Sequence, residues 1–146
     1  NRTKNINSFL SDATEALHEI GCLASADIFG YVLNAKNDNG IGQYLETIIE
    51  SVDFISPMVY PSHYSKGSFG YSYPNNHPYE VVSEALNKGL SRGVSQKQLR
   101  PFLQGFWHSS QDVTLNIKAA EDKGLGWIIW NNSSMYQKDF FTKIES

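Results

Sequence analysis

The chain of 146 residues contains one cysteine, Cys22, which excludes an internal disulfide and a cysteine-rich metal site. Cys22 follows Gly21 at the head of an apolar stretch, a setting that predicts a small buried hydrophobe rather than a nucleophile. Long apolar runs are missing too. None approaches the ~20 residues of a membrane helix, so no membrane insertion is expected. Charge of one sign is also scarce: twelve Lys and Arg against fifteen Asp and Glu give −3. With no basic cluster, a nucleic-acid or anionic-membrane surface is not expected. Neither G-x-G-x-x-G nor G-x-x-x-x-G-K-[ST] occurs, which counts against nucleotide folds, and no nucleotide or other cofactor is implied. Zinc spacing is absent. No leader pattern opens the chain, and Asn1 to Asn5 reads as a start inside a longer protein.

What is present is aromatic. Three Trp, eight Tyr and eight Phe make up 13% of the chain, and 40% is hydrophobic, enough for one compact domain with its own core. Periodicity then gives an order of elements. Ile6, Phe9, Ala13, Ala16, Leu17 and Ile20 recur at helical spacing, and Gly21 supplies a stop. Leu23 to Val32 reads as a buried strand. Ile41, Tyr44, Leu45, Ile48, Ile49 and Val52 mark a second helix. Phe54 to Tyr60 is a second strand, with Pro57 as an anomaly for a central position. Val81 to Leu90 is helical, Pro101 to Trp107 a strand, Val113 to Ala120 helical, and Leu125 to Trp130 a strand. A last helix carries Tyr136, Phe140, Phe141 and Ile144. A helix followed by four strand–helix units predicts an α/β fold with a parallel sheet covered by helices.

In such folds sites gather at the carboxyl ends of strands. Those ends carry Tyr31, Asn34 and Asp38, then Tyr60-Pro61-Ser62-His63-Tyr64, then Gln104 to Ser110, then Trp130-Asn131-Asn132. Aromatic faces with scattered amides suit a carbohydrate, whose C–H faces stack on rings while its hydroxyls bond to amides. The loop from Ser62 to Pro78 adds Phe69, Tyr71, Tyr73 and His77, rings that also serve to pack the loop itself. Strand parity turns Asp27, Phe29 and Tyr31 inward, with Ile28 and Val32 facing helices; Phe54, Ser56, Met58 and Tyr60 share the inward side. Glycosidases commonly need two carboxylates. Asp53 lies at the wrong end of its strand and Asp38 sits in a solvated Asn-Asp-Asn-Gly turn, so Asp27 stands alone, one acid short. A metal-dependent deacetylase would need a cluster that the scattered His63, His77 and His108 do not form; no metal site is expected.

Several segments resemble one bacterial family whose members are described as glycosyl hydrolase domains. They are Ser25-Ala26-Asp27-Ile28-Phe29-Gly30, Asp53 through Tyr64 with its Pro-Met-Val-Tyr-Pro-Ser-His-Tyr core, Asn75 to Val81, Arg100-Pro101-Phe102-Leu103-Gln104, and Gly126 through Asn131. The resemblance runs in order through essentially the whole chain. It implies a (β/α)8 barrel distantly similar to family 18 chitinases, with Met58-Val59-Tyr60 and Trp130 carrying that likeness. Residues 1–146 would then be one partial domain, the C-terminal half of a TIM-type barrel. The resemblance places the absent acid in the other half, at the end of a fourth barrel strand. Two positions depart from the family pattern: Gly105, where an acid is frequent, and Asn116, where Gln is frequent.

The function so implied is hydrolysis of a polysaccharide or cell-envelope glycan, outside the cell or in its envelope. The other reading is a non-catalytic carbohydrate-binding or scaffolding barrel. Asp27 and Tyr60 are the candidate catalytic residues; Tyr31, His63, Tyr64, Gln104, Trp107, Trp130 and Asn131 are the candidate sugar contacts. A half-barrel would also expose its edges and inner face, predicting pairing with an N-terminal half or with a second copy.

Overall fold

The computed structural model describes residues 1–141, so Ile144 of the expected last helix lies outside the described residues. The first helix, α1 (Arg2–Glu19), begins where the Asn1 side chain accepts from the Thr3 amide, a standard cap for an orphan donor. It ends on Gly21 at φ 76°, and the Cys22 amide bonds back to Leu17 O. Cys22 is exposed, contrary to the buried role expected of it: the left-handed turn at Gly21 carries the chain out to solvent before the strand begins. Leu10 and Leu17 pack on the core, while Phe9 and Ile20 stay exposed.

Four strands follow: β1 (Ser25–Phe29), β2 (Phe54–Met58), β3 (Phe102–Gln104) and β4 (Ile128–Trp130). All pair in parallel, in the order β1-β2-β3-β4. Sequential order without reversal is the arrangement of a barrel segment rather than of a doubly wound sheet. The sheet is not closed within this chain. It is half of a TIM-type barrel in topology, mixed α/β, as the periodicity predicts.

Helices α2 (Leu45–Ile49), α3 (Pro78–Ser91) and α4 (Ser110–Glu121) cover one face of the sheet. Between them and the strands lie Ile28, Leu33, Leu45, Ile48, Ile55, Leu86, Leu99 and Leu103, all sealed from solvent. The alternation along β1 is regular: Ala26 and Ile28 are buried, while Ser25, Asp27 and Phe29 are exposed on the uncovered face. A guanidinium clamp fixes the layer. Arg92 at the end of α3 donates to both carboxylate oxygens of Glu46 on α2 (2.9 and 2.6 Å) and to Val32 O and Leu33 O.

Three elements differ from their sequence reading. β1 stops at Phe29, and Gly30–Leu33 form a 3-10 turn, so Tyr31 sits on a turn rather than a strand. α2 is one short helix because Gly40 and Gly42 take positive φ and Asp38 holds the turn, accepting from the Gly40 and Gly42 amides. The last segment forms a short 3-10 turn, Lys138–Phe141, with Tyr136 before it outside any helix.

Pro57 does occupy central strand β2, and the ladder shows how. Ile55 N bonds to Gln98 O and Val59 N to Phe102 O, both towards β3. The intervening donor in that direction would be Pro57, which has none. Named β2–β3 pairing is accordingly reduced to Met58↔Phe102, beside an isolated bridge of Ile55 with Leu99.

Candidate functional site

The carboxyl ends of the strands converge on a cleft of about 440 Å3. β1 contributes Asp27 and β2 contributes Met58, with Tyr60 just beyond its end. β3 and its loop contribute Phe102, Phe106 and Trp107. Trp130 closes β4, Asn132 follows, and His63 comes down from the loop after β2. Five residues expected from the sequence, Asp27, Tyr60, His63, Trp107 and Trp130, thus meet in one place.

The walls are aromatic and interlocked. Tyr60 makes edge contacts with His63 and with Phe106, ring centroids 5.2 Å apart in each case. Phe106 in turn meets Trp107 edge-on at 5.2 Å. Such edge-to-face pairs hold rings in fixed orientation. Trp107 is 78% exposed and Trp130 48%, so both present faces to solvent. The Trp107 backbone is strained, at φ 56°, in a region that bulky residues rarely occupy.

Among the described residues, Asp27 is the one carboxylate lining the cleft. Partial burial among rings disfavours its charged form and raises its pKa, while the positive charge of Arg100 draws it back down. Tyr60 is pushed above the usual phenol range, first by burial and then by the negative charge of Asp27. Tyr60 therefore stays protonated at neutral pH and can act as a hydrogen-bond donor.

The other expected contacts are placed differently. Tyr31 and Tyr64 line a smaller hollow of about 90 Å3 with Phe29, Met58 and His63, adjoining the main cleft. Tyr31 stacks on Phe29 at 5.6 Å. The Tyr64 ring packs on Phe69, and burial raises its hydroxyl pKa. Gln104 is fully buried, and its amide is spent on backbone: Oε1 accepts from Ser62 N (3.1 Å) and Nε2 donates to Phe106 O (2.9 Å). It joins the loops after β2 and β3 rather than facing the cleft. Asn131 lies in a third hollow, donating to Gly105 O and Met135 O and accepting from Ser133 N. Of the loop rings, Tyr71 stacks on His77 at 4.1 Å while Tyr73 is exposed.

The departures at Gly105 and Asn116 have physical accounts. A Cβ at Gly105 would stand 2.5 Å from Ile129 Cγ2 and 3.0 Å from Trp130 O, so no side chain fits there without displacing β4. Asn116, buried on α4, donates to Gln104 O and to His108 Nδ1, both at 3.2 Å. Phe102, Phe106 and Asn132 were missed as lining residues. Parity with Gln104 along β3 signals Phe102, whereas Phe106 and Asn132 lie on loops where parity gives no guidance.

His108 links three elements. Its Nδ1 accepts from Asn116, which leaves Nε2–H to donate to Asn75 Oδ1 at 2.9 Å. Burial lowers its pKa, opposed by the nearby Asp112 carboxylate. A histidine whose folded pKa lies below its unfolded value holds full stability at higher pH. It loses stability as pH falls through the unfolded value near 6.5. Between about pH 7.5 and about pH 5 the thermal midpoint should therefore fall more for the wild type than for His108→Gln. Equal declines would exclude this contribution.

Asp38 and Asp53 serve structure. Asp53 accepts from Ala24 N (2.7 Å) and from His18 (2.8 Å) at the amino end of the sheet, which holds its carboxyl below the usual range. Among the described residues, no three His, Cys, Asp or Glu side chains come together as a metal would require, and no helix is long and apolar enough to cross a membrane.

A parallel βα sheet with an aromatic, carboxylate-bearing cleft at its strand ends is the arrangement of a half TIM-type barrel with its candidate site at the carboxyl ends of the strands. The profile of the family described as Putative glycosyl hydrolase domain matches residues 1–136, and the chain belongs to that family. No curated protein and no solved structure matched.

Proposed function

We propose that the chain contributes half of the active-site face of a glycoside hydrolase acting on a polysaccharide or cell-envelope glycan. The observation that carries this reading is the cleft itself: two exposed tryptophan faces, a protonated tyrosine and a partly shielded carboxylate around about 440 Å3. The volume is that of one or two sugar rings. Trp107 and Trp130 stack the apolar faces of the sugar, and Tyr60 donates to a hydroxyl or carbonyl oxygen near the reacting bond. His63 and Tyr64 lie beyond Tyr60 to contact the neighbouring sugar or leaving group.

Asp27, its pKa raised by partial burial, is placed to exchange a proton with a bound sugar. The general-acid/base pairing of glycoside hydrolysis requires a second carboxylate across the scissile bond. That second acid would come from another segment or chain facing the open side of the sheet. The lone carboxylate also favours a second reading, a non-catalytic glycan-binding face.

Titration calorimetry against neutral, amino and acidic oligosaccharides, paired with a reducing-sugar assay, separates the two. In the hydrolase reading, Asp27→Asn keeps binding and lowers turnover about 100-fold or more in the assembled protein. Binding with no turnover, indifferent to Asp27→Asn, establishes the second reading. Absence of binding across the panel overturns both.

A further inference from the structure

The three hollows at the strand ends adjoin one another. The small one after β1 and the main cleft share Met58 and His63. The main cleft and the hollow after β4 share Phe106, Trp107 and Asn132. They therefore lie end to end, in strand order, across the carboxyl ends of the sheet. About 90 Å3 lies at the β1 end, about 440 Å3 in the middle and about 250 Å3 at the β4 end.

A row of rings runs along this path. His63 meets Tyr60, Tyr60 meets Phe106 and Phe106 meets Trp107, each edge-on with 5.2 Å between ring centres. The two ends of the row, His63 and Trp107, are the rings shared with the outer hollows. Four interlocked rings make a rigid wall longer than one sugar ring. Exposed side chains stand at both ends of the path: Tyr31 is 37% exposed at one and Met135 64% at the other. A trough open at both ends admits the middle of a chain, whereas a blind pocket admits a terminus.

The β4 end is built from amides. Asn131 pins its wall by donating to Gly105 O and Met135 O, and Gln137 Oε1 accepts from Ser110 Oγ at 3.2 Å. The Gln137 amide nitrogen has no partner among the described residues, and Asn132 is exposed, so both can meet sugar hydroxyls. Positive charge is missing. Among the described residues no Lys or Arg lines any of the three hollows, and the one carboxylate is Asp27, so an acidic sugar would find no counter-charge.

We propose that the three hollows form one trough that takes an internal stretch of a linear, uncharged glycan, with sugars on either side of Trp107. The assignment deepens the carbohydrate reading and rests on it. It names the form of the glycan, a polymer gripped along its length, and the hollow lined by Ser133 and Gln137 as the place where the chain continues beyond the main cleft.

Calorimetry with cello-oligosaccharides, N-acetylated chito-oligosaccharides and oligogalacturonates, each from disaccharide to hexasaccharide, tests it. In the series that binds, affinity rises about fivefold or more with each added sugar, up to the tetrasaccharide at least, and the oligogalacturonates bind most weakly. Ser133→Trp fills the β4 hollow and Gln137→Ala removes its open amide; each flattens the rise between the shorter and the longer chains. Should the Trp variant not fold, Gln137→Ala and the wild-type series decide. A wild-type disaccharide that binds as tightly as the hexasaccharide overturns the trough. So does a rise that neither variant alters, because the chain then leaves the cleft by another path. Tightest binding of the oligogalacturonates overturns the uncharged assignment. Binding without dependence on length sinks this proposal alone, whereas absence of binding in every series sinks the carbohydrate reading and the trough with it.

Discussion

Gly30→Ala unfolds the chain at a markedly lower denaturant concentration than wild type, with a loss of about 3 kcal/mol. A Cβ at this position would stand 2.3 Å from Met58 O and 2.9 Å from both Met58 C and the Tyr64 hydroxyl. Two of those three atoms are backbone, and Met58 O is already engaged by Tyr60 N. Relief therefore requires β1 and β2 to part at their carboxyl ends, where Asp27 and Tyr60 enter the cleft. Urea titration should show a lower midpoint with an unchanged slope. Gly126→Ala is the control, because nothing lies within 4 Å of its Cβ. A Gly30→Ala midpoint within error of that control would mean that the two strands are not in such close approach.

Trp107→Ala gives the opposite separation, a large loss of glycan affinity with little change in stability. An exposed indole that serves as a stacking face contributes about 2 kcal/mol to binding, or roughly 30-fold in Kd. Its contribution to the core is small, since 78% of it is exposed. The strained backbone at φ 56° adds a discriminating arm. Trp107→Gly should be more stable than Trp107→Ala by about 1 kcal/mol, because glycine tolerates the left-handed region. Both variants should lose binding equally in calorimetry. Full affinity in either would remove Trp107 from the site.

The sequence exposed the part of this molecule that obeys a period. Alternation along Ser25–Phe29 announces which side Asp27 faces, and helical spacing locates α3 and α4 to within a few residues. The reading weakens where long-range hydrogen bonds decide. Gln104 and Asn131 stand at strand ends beside rings, which is what a sugar-binding amide looks like in one dimension. Their amides are instead engaged by Ser62, Phe106, Gly105, Met135 and Ser133, partners that no local pattern reveals. Tyr31 fails for a related reason: the apolar run continues past Phe29, yet Val32 and Leu33 reach the core from a 3-10 turn rather than from a strand.

The interruption at Pro57 has a mechanical consequence. β1 and β2 are joined by a ladder of five residue pairs, and β3 and β4 by three, but between β2 and β3 the named ladder is a single pair. The sheet is thus two stiff ribbons joined along a compliant line, and the cleft straddles that line. Asp27, Met58 and Tyr60 ride on one ribbon; Phe102, Phe106 and Trp130 ride on the other. A small twist about the line would change the gap between carboxylate and tryptophan without breaking a strand, so the missing Pro57 donor sits where it bears on the width of the cleft.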